Sequence, residues 1–401
     1  MTVEPAAIVF NRAHVTGDEF RFMEEAIRNA HLASSGPFSR RCADWLEKQT
    51  GCSLALLTHS CTAALEIAFT LSDIGPEDEV IMPSFTFVTT ANAVVGRGGR
   101  PVFVDIRPDT LCIDERLIEA AITPRTRAIV PVHYAGVGCD MEALRGFARA
   151  HDLLLIEDAA QGLGAKVSGL PLGGIGELGA LSFHETKNVS CGEGGALLVN
   201  DQSFVERAEV VHEKGTNRAR FYRGQVDKYT WIDVGSSYAL SELAAAYLWA
   251  QLQHEREITA ARLDIWGRYH AAFAAFEREG RLRRPNVPAN CEHNAHMYYL
   301  LLEDLETRTA FIRHLARLGV NAVFHYVPLH TSIAGQLHGV THGELSVTTD
   351  VSDRLVRLPL WVDMSPIQVD RVIDAVAGFI QSQSTAAADR ATRSRDKLRS
   401  S

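Results

Sequence analysis

The stretch that decides the fold is Leu153–Gln161, LLLIEDAAQ, which is followed at Leu181–Asn188 by LSFHETKN. In the first segment an apolar run without polar alternation ends in two carboxylates, Glu157 and Asp158. Such a run is typical of a strand that is buried on both faces, as in a parallel sheet. Because α/β proteins bind ligands at the carboxyl ends of parallel strands, Asp158 is a candidate functional residue. A helix cap or a metal ligand is the alternative role for this carboxylate.

Apolar runs of the same kind recur along the first three-fifths of the chain and are separated by helical patterns. The strand-like runs are Glu79–Pro83, Pro101–Ile106, Arg127–His133, Ala180–Phe183 and Gly195–Val199, and the helical patterns are Thr62–Leu71, Asp114–Ala121 and Met141–Ala150. This alternation of strands and helices predicts a large α/β domain with a mostly parallel sheet, over residues 1–255.

The pattern changes from about Ser241 onward. Helices are predicted at Ser241–Gln253, Glu255–Arg278, Arg308–Leu318 and Pro366–Gln381, with a segment at Met297–Leu302 and a strand at Asn321–Tyr326 between them. We therefore expect a smaller C-terminal α+β domain over residues 256–383. Residues 384–401 are rich in Ala, Arg, Ser, Asp and Lys, which offer little to bury, and predict a disordered tail.

Composition excludes several classes of protein. The 401 residues include 40 Lys and Arg against 49 Asp and Glu, a formal charge of −9, so a general nucleic-acid binder with a basic face is not expected. No apolar run approaches the length of a membrane span, and Met1–Asn11 lacks the order of a signal peptide, which predicts a cytoplasmic protein. Seven cysteines, an odd number without CxxC spacing, predict free thiols and no structural metal site.

Two further segments carry residues suited to chemistry. Lys187 lies just beyond a short strand, near Ser182 and His184, and precedes the glycine-rich stretch Cys191–Gly195. Thr58–Ala64, THSCTAA, opens an apolar helix with capping residue types, and a helix N-terminus is a favourable place for a phosphate. Taken singly, the lysine could be surface charge and the second segment a simple helix cap.

Together the three segments describe one coherent site for pyridoxal 5′-phosphate. This cofactor needs a lysine amine to hold its aldehyde as an imine and a carboxylate to keep its ring nitrogen protonated. It also needs a cradle for its phosphate, which a helix N-terminus provides. The released lysine amine can then move a proton between substrate and cofactor, provided that it is neutral. Partial burial or a nearby cation would lower the pKa of the amine toward neutrality.

The chain resembles the DegT/DnrJ/StrS family of sugar-nucleotide aminotransferases from Phe10 to about Ile380. The segments that carry this resemblance are VIMPSFTFVTTANAVV, VFVDIRPDTLCIDE, VPVHYAGV, IEDAAQG, SFHETKN, GEGGALL, EKGTNR, FYRGQVDKYTWIDVGSSY and VFHYVPLH. The family implies the type I fold of pyridoxal-phosphate-dependent transferases, which is the aspartate-aminotransferase fold. It also implies pyridoxal 5′-phosphate as the cofactor.

The resemblance also implies the roles of individual residues. The catalytic residues are Lys187, which forms the imine, Asp158, which faces the pyridinium nitrogen, and His184, near the substrate carbonyl carbon. The cofactor would contact Cys61, Thr62 and Ala63 at its phosphate, Phe87 on its ring face, Gln161 at its hydroxyl, and Ser182 and Ser237 at the phosphate. Cys61 stands where many relatives have Gly, and Ser237 stands where many have an Asn that reaches the neighbouring subunit's phosphate.

The substrate side is predicted from a basic segment and two histidines. Lys214–Trp231 holds several cations against the single acid Asp227, which suits a nucleotide diphosphate, although a solvated basic loop is the alternative. In the family this region meets the partner subunit's site, which implies a homodimer with composite active sites. The expected substrate-binding residues are Lys214, Arg218, Arg220, Arg223, Tyr229, His325 and His330. His293 and His296 have HxxH spacing, but no third ligand lies nearby in sequence, so no metal is expected.

The activity implied by the resemblance is amino-group transfer from L-glutamate to C4 of dTDP-4-dehydro-6-deoxy-D-glucose. The products would be dTDP-4-amino-4,6-dideoxy-D-galactose, for a bacterial surface polysaccharide, and 2-oxoglutarate. The gluco epimer, a 3-keto sugar, or a UDP or GDP sugar remain alternatives. A related sugar dehydratase has His at the lysine position, so Lys187 argues against it. A non-enzymatic regulator that binds the cofactor is disfavoured by the intact set of Lys187, Asp158 and Gln161.

The composition of the tail generates one prediction. Truncation after residue 383 should leave transamination activity unchanged, because residues 384–401 offer little apolar surface to a core. Steady-state kinetics of the truncated and full-length chains measure this directly. A large loss of activity on truncation would show that the tail is structural.

Overall fold

The computed structural model describes residues 6–399 of the chain, and side chains up to residue 383. The strands in this range are β1 (Leu54–Thr58), β2 (Glu79–Pro83), β3 (Arg100–Val104), β4 (Thr126–Ile129), β5 (Leu154–Asp158), β6 (Lys166–Val167), β7 (Leu170–Pro171), β8 (Leu178–Ser182), β9 (Gly195–Val199), β10 (Cys291–Glu292), β11 (Tyr298–Leu301), β12 (Val340–Thr341) and β13 (Leu355–Leu358).

The helices connect these strands and cover the sheets that they form. They are α1 (Glu19–Arg28), α2 (Pro37–Thr50), α3 (Cys61–Leu71), α4 (Val88–Val95), α5 (Ile118–Ala121), α6 (Met141–Ala150), α7 (Val205–His212), α8 (Arg218–Tyr222), α9 (Glu242–Gln253), α10 (Glu255–Ala272), α11 (Ala274–Arg278), α12 (Leu305–Arg317), α13 (Ile333–His338), α14 (Ser346–Arg354) and α15 (Pro366–Arg399). Among the described residues, no helix has both the length and the apolar content that crossing a bilayer requires.

The central sheet has eight strands in the order β1–β9–β8–β5–β4–β2–β3–β12. The pairs from β8 to β12 are parallel, whereas β9 is antiparallel to both of its neighbours. The predicted α/β fold with a mostly parallel sheet is confirmed. β2, β8 and β9 are buried along their full length, which agrees with their unbroken apolar sequences.

Helices cover both faces of this sheet. Along β2, Ile81 packs in the same core cluster as Leu144 of α6. Val80, one residue earlier, packs with Leu65 of α3 in a second cluster. Because successive side chains of a strand point to opposite faces, these two clusters are the two faces of the sheet. The sheet is therefore the middle of three layers.

One edge of the sheet collects the residues that the sequence singles out. β5 ends at Asp158 and the parallel strand β8 ends at Ser182, so both residues lie at the same edge. β1 runs in the same direction, since β9 is antiparallel to both β1 and β8, and α3 begins three residues after β1 ends. The carboxylate, the Lys187 loop and the helix N-terminus are thus brought together by strand direction alone.

The C-terminal part of the chain builds a second, smaller core. β11 and β13 pair antiparallel, and helices α10, α12 and α15 pack near them. Tyr298, Phe311, Val356 and Phe379 are among the buried residues of this cluster. The predicted domain limits, at residues 255/256 and 383/384, stay a prediction. Helix α15 continues to Arg399, so the prediction of a disordered tail differs from the structure over residues 384–399, whose side chains the structure does not describe.

The C-terminal part also contacts the large sheet directly. β12 pairs parallel with β3 at the edge of that sheet. Beside it, the carboxylate of Asp105 accepts hydrogen bonds from the backbone amides of Val347 and Thr348, at 2.9 and 2.8 Å. These amides belong to the first turn of α14, where helix amides lack intrahelical partners.

Several predicted elements differ from the structure, among them a strand and a helix of the predicted set. The strand predicted at Asn321–Tyr326 is wrong: the segment makes only a single bridge, between Val323 and Arg357. The next carbonyl, that of Phe324, accepts from the side chain of Arg357 instead of from a ladder amide. The helix predicted at Asp114–Ala121 begins as a 3-10 helix at Glu115–Leu117 and is followed by the single turn α5.

A buried carboxylate far away in sequence caps helix α2. Gly36, at the N-cap of α2, has no side chain to accept from the first free amides. Glu242, at the start of α9 and fully buried, supplies the acceptor instead. Its carboxylate accepts from the amides of Gly36, Phe38 and Ser39 at 3.0, 2.9 and 2.8 Å. Glu242 therefore ties α9 to α2 and satisfies the helix N-terminus.

Replacing this carboxylate should destabilise the fold. We expect Glu242→Gln to lower the free energy of unfolding by about 2–3 kcal/mol, because the amide keeps one acceptor oxygen and leaves buried donors unpaired. Denaturant unfolding measures the change. Glu24→Gln is the matched control, since Glu24 and Arg28 form an exposed ion pair on α1 whose loss should cost about 0.5 kcal/mol or less. Equal effects of the two substitutions would contradict the capping role.

Candidate active site

A cavity of about 820 Å³ opens at the carboxyl edge of the sheet, between the two cores. Its lining includes residues from the strand ends, the α3 N-terminus, the Lys187 loop and the C-terminal part of the chain. The predicted site residues that line it are Cys61, Thr62, Phe87, Asp158, Gln161, Ser182, His184, Lys187 and His325. Segments that are far apart in sequence therefore share one cavity, as the sequence predicts for them.

Asp158 is held by two donors that the sequence does not single out. The hydroxyl of Thr90, in α4, donates to Oδ2 at 2.7 Å, and the amide of Ala160 donates to Oδ1 at 3.1 Å. The hydroxyl of Thr86 lies 3.0 Å from that of Thr90. The side chain of Asp158 is almost fully buried, so these bonds fix the direction in which the carboxylate faces the cavity.

The N-terminus of α3 leaves two backbone amides for an anion. Ser60, the N-cap residue, accepts from the amide of Ala63 at 3.1 Å. Among the described residues, no backbone acceptor outside α3 receives the amides of Cys61 or Thr62. The amide of Ala63, which is predicted to contact the phosphate, donates to Ser60 instead. Ala63 also does not line the cavity. Burial raises the pKa of the Cys61 thiol, which keeps it neutral beside these amides.

Lys187 lies half-buried in the loop that joins β8 to β9. Its amide donates to the carbonyl of His184 at 2.9 Å, which closes a tight turn. Burial lowers the pKa of its amine, and the nearby charge of Arg357 acts in the same direction, while Asp158 opposes the shift. A lowered pKa means that a larger share of the amine is neutral near pH 7, as a nucleophile or proton carrier requires.

Gln161 is fixed at both ends of its amide. Its Oε1 accepts from the amide of Ala135 at 2.6 Å, and its Nε2 donates to the hydroxyl of Tyr326 at 3.0 Å. Phe87, which is 56% exposed, also lines the cavity, with its ring centroid 6.5 Å from that of Tyr326. An exposed aromatic face at a cavity mouth is available to stack on a planar ligand.

His184 and Ser182 occupy the rim near Lys187. The Nδ1 atom of His184 lies 2.9 Å from the hydroxyl of Thr186, and its Nε2 lies 3.6 Å from Oε1 of Glu193. Ser182, at the end of β8, accepts weakly from the amide of His184 at 3.4 Å. The hydroxyl of Ser182 keeps its capacity to donate into the cavity.

The basic segment lies outside this chain's own cavity. Arg220 pairs with Glu206 at 2.5 Å and Arg223 with Glu209 at 2.6 Å, so acids of α7 neutralise both. The other predicted residues of this group, Lys214, Arg218, Tyr229 and Ser237, are likewise absent from the cavity lining. The sequence missed these ion pairs because Glu206 and Glu209 precede the segment and face it only in the folded chain.

Of the two histidines predicted to bind substrate, His325 and His330, one lines the cavity and the other does not. His325 lines the cavity, its Nδ1 lies 2.7 Å from the hydroxyl of Tyr134, and burial holds its pKa well below 6.5. His330 lies outside the lining, and its Nδ1 is 2.7 Å from the hydroxyl of Ser84. The substrate role of His330 stays a prediction that its position does not favour.

Several residues of the site were missed by sequence reasoning. Arg262, His296, Tyr326 and Arg357 line the cavity, and Thr90 lies outside the lining but donates to Asp158. Thr90 and Tyr326 lie within the motifs VIMPSFTFVTTANAVV and VFHYVPLH, so their place in these motifs could have identified them as site residues. Arg262, in the middle of α10, and Arg357, on β13, lie among ordinary helix and strand residues and carry no local signal.

Comparisons with known proteins agree with this geometry. Residues 14–377 match the model of the DegT/DnrJ/EryC1/StrS aminotransferase family. The spore coat polysaccharide biosynthesis protein SpsC of Bacillus subtilis is 33% identical over 372 residues, which cover 91% of this chain and 95% of SpsC. The aminotransferase TlmJ from Streptoalloteichus hindustanus superposes with a TM-score of 0.86 at 28% identity, covering 94% of this chain and 100% of TlmJ.

A third relative was solved with a cofactor. NtdA from Bacillus subtilis, with bound cofactor PMP, has a TM-score of 0.84 at 27% identity and covers 95% of this chain and 86% of NtdA. The residues of this chain fit such a group: Lys187 and Asp158 share the cavity, and the amides of Cys61 and Thr62 are available to a phosphate. The cofactor is therefore pyridoxal phosphate, and the chain belongs to the DegT/DnrJ/EryC1/StrS aminotransferase family.

Proposed function

We propose that the protein transfers the amino group of L-glutamate to the keto carbon of a nucleotide sugar. The observation that carries this is the presence of Lys187, with its lowered pKa, and Asp158 in one cavity. A cavity of about 820 Å³ lies in the upper part of the range of small-molecule sites, which suits a substrate as large as a nucleotide sugar. The similarity to SpsC, a polysaccharide biosynthesis protein, supports a sugar as acceptor.

The specific reaction that we propose uses dTDP-4-dehydro-6-deoxy-D-glucose as the acceptor. Transfer to its C4 gives dTDP-4-amino-4,6-dideoxy-D-galactose and leaves 2-oxoglutarate from the donor. The product would enter a surface polysaccharide such as an O-antigen or the enterobacterial common antigen. This choice rests on the motifs quoted from the sequence, among them VFHYVPLH and FYRGQVDKYTWIDVGSSY.

The cofactor, when bound, withdraws electrons from the substrate carbon that bears nitrogen. The residues of this chain control where protons go. With the cofactor bound, the carboxylate of Asp158, held by Thr90, would face the ring nitrogen and keep a proton on it. The amine of Lys187 would hold the aldehyde and, once free and neutral, would carry a proton to or from the substrate carbon. Phe87 would cover one face of the ring, and Gln161 would contact the ring hydroxyl.

The charges of the cavity suit anionic substrates. Arg262 and Arg357 both line it, and neither forms an ion pair with a carboxylate of the described residues. The guanidinium of Arg357 donates instead to the carbonyl of Phe324, and burial lowers its pKa. An arginine without a carboxylate partner at the cavity wall is suited to bind a carboxylate of the donor amino acid.

A second copy of the chain would complete the site. Residues around the basic segment expose large apolar side chains, with Trp231 78% and Tyr222 68% exposed. We propose that this face packs on a partner subunit and brings Arg218, Tyr229 and Ser237 to the partner's cavity. The protein would then be a homodimer with composite active sites. The exposed basic residues would bind the diphosphate of the nucleotide sugar in the partner's cavity.

The imine assignment is tested by reduction. Borohydride treatment of the protein loaded with pyridoxal phosphate should attach the cofactor covalently at residue 187, because Lys187 is the one lysine that lines the cavity in the described part of the chain. Lys187→Ala should abolish the adduct in intact-mass spectrometry, whereas Lys166→Ala, at an exposed position on β6, should leave it unchanged. An adduct that persists in Lys187→Ala would overturn the proposed function.

The substrate is tested with a panel of nucleotide sugars. The loaded enzyme and glutamate are incubated with dTDP, UDP and GDP sugars that carry a 4-keto or a 3-keto group, and NMR identifies each product. We expect amination at C4 of the dTDP sugar with the galacto configuration. Preferential amination of another nucleotide, carbon or face would replace the specific reaction and keep the aminotransferase assignment.

Thr90 offers a test of the carboxylate's environment. Thr90→Val keeps the shape of the side chain and removes the bond to Asp158, so kcat should fall about tenfold, corresponding to roughly 1.4 kcal/mol. Thr70→Val is the matched control, because the buried Thr70 hydroxyl bonds only the carbonyl of Glu66 within α3. Equal losses of kcat in the two variants would show a general loss of stability and contradict the role of Thr90.

A further inference from the structure

The segment Asn294–His296, just before β11, is tied to the loop that follows Asp158. The Nδ2 atom of Asn294 donates to the carbonyls of Gln161 and Leu163, each at 2.8 Å. Gly136 approaches the same side chain so closely that an added Cβ would lie 2.0 Å from Oδ1 of Asn294. The contact therefore leaves no room for another side chain at this position, and Asn294 is fixed against the cofactor-facing loop.

The same segment is held from α10 by a buried arginine. Arg262 is 3% exposed and donates from Nε to the carbonyl of Ala295 at 3.1 Å and from Nη2 to that of His296 at 2.7 Å. These two carbonyls lie in a stretch where Ala295 has a positive φ of 49°, so no regular ladder satisfies them. Arg262 thus replaces the missing backbone partners.

The segment reaches the Lys187 loop through Asn188, the residue after Lys187. The Nδ2 atom of Asn188 donates to the carbonyl of Asn294 at 2.7 Å, which directs its Oδ1 toward Nδ1 of His296 at 3.2 Å. Because an amide oxygen only accepts, the hydrogen of this bond belongs to the histidine. The ring is therefore the tautomer with hydrogen on Nδ1.

The surroundings of His296 keep its ring neutral. Burial is the main cause that holds its pKa well below 6.5, and the cations that face it act in the same direction. These cations are Lys187, Arg262 and Arg357, and His325 contributes only in its protonated form. A group with such a lowered pKa stays uncharged at and above neutral pH, so His296 bonds the loop without adding a positive charge beside the lysine.

We propose that His296 is a positioning residue whose bond to Asn188 fixes the Lys187 loop against the Asp158–Gln161 loop, so that the lysine amine is held toward the aldehyde of the bound cofactor. The inference rests on the proposed function and adds a residue to it. It explains why one short segment contacts both the loop that follows Asp158 and the loop that carries Lys187. It also accounts for the buried Arg262, whose guanidinium donates to the carbonyl of His296 and holds this residue in place.

The experiment compares covalent capture of the cofactor with simple binding. Apoprotein is mixed with pyridoxal phosphate, and the rate of imine formation is followed by absorbance. We expect His296→Leu to slow capture at least tenfold, and His296→Asn, which keeps an N–H donor near the Nδ1 position, to recover it to within about threefold of wild type. In a Lys187→Ala background, His296→Leu should leave the dissociation constant of pyridoxal phosphate within twofold.

His212→Leu is the matched control. His212 is also a buried histidine, and its Nε2 bonds the carbonyl of Leu57 at 2.8 Å, away from the cavity lining. Its replacement should lower the unfolding temperature and leave the capture rate unchanged. Gly136→Ala provides a second route, because its Cβ would lie 2.0 Å from Oδ1 of Asn294 and displace that side chain, and capture should slow there as well.

The outcomes separate the two proposals. Loss of cofactor affinity in the Lys187→Ala background that matches the loss of capture rate would make His296 a structural residue and overturn the inference. The same conclusion follows if His296→Asn is as slow as His296→Leu while both remain folded. A wild-type protein that never forms the imine would instead overturn the proposed function.

Discussion

The common direction of the strands is the constraint on which the active site depends. β5 and β8 run parallel, and β1 runs with them although it reaches them through the antiparallel β9. A carboxylate at a strand end, a lysine on the loop after a strand and a helix N-terminus after a third strand therefore meet without any direct contact in sequence. A single reversal among these strands would send one of the three to the opposite edge.

The fold and the core of the site could be predicted because they depend on local patterns. Unbroken apolar runs mark strands buried on both faces, and residues that follow such strands must lie at one edge. This logic placed Asp158, Ser182 and Lys187 correctly in one cavity. The motif resemblance added Gln161 and also Phe87, which its apolar run alone would assign to the core.

The rest depends on contacts between distant segments, for which the sequence has no local signal. The cations at residues 220 and 223 look free until Glu206 and Glu209 are seen beside them. The strand expected at Asn321–Tyr326 fails because the carbonyl of Phe324 turns to the side chain of Arg357. Burial of arginines without carboxylate partners is likewise a property of the assembled cavity.

The short strand β12 has a mechanical consequence. Two parts of a protein rotate most easily relative to each other when a single flexible segment connects them. Here helix α10 is not the only connection between the large sheet and the C-terminal part. The C-terminal part also contributes the edge strand β12 to the large sheet. Next to it, the carboxylate of Asp105 accepts a hydrogen bond from the first turn of α14. Wide rotation of the C-terminal part would break these hydrogen bonds, so the pairing of β12 with β3 restricts the motion of that part relative to the large sheet.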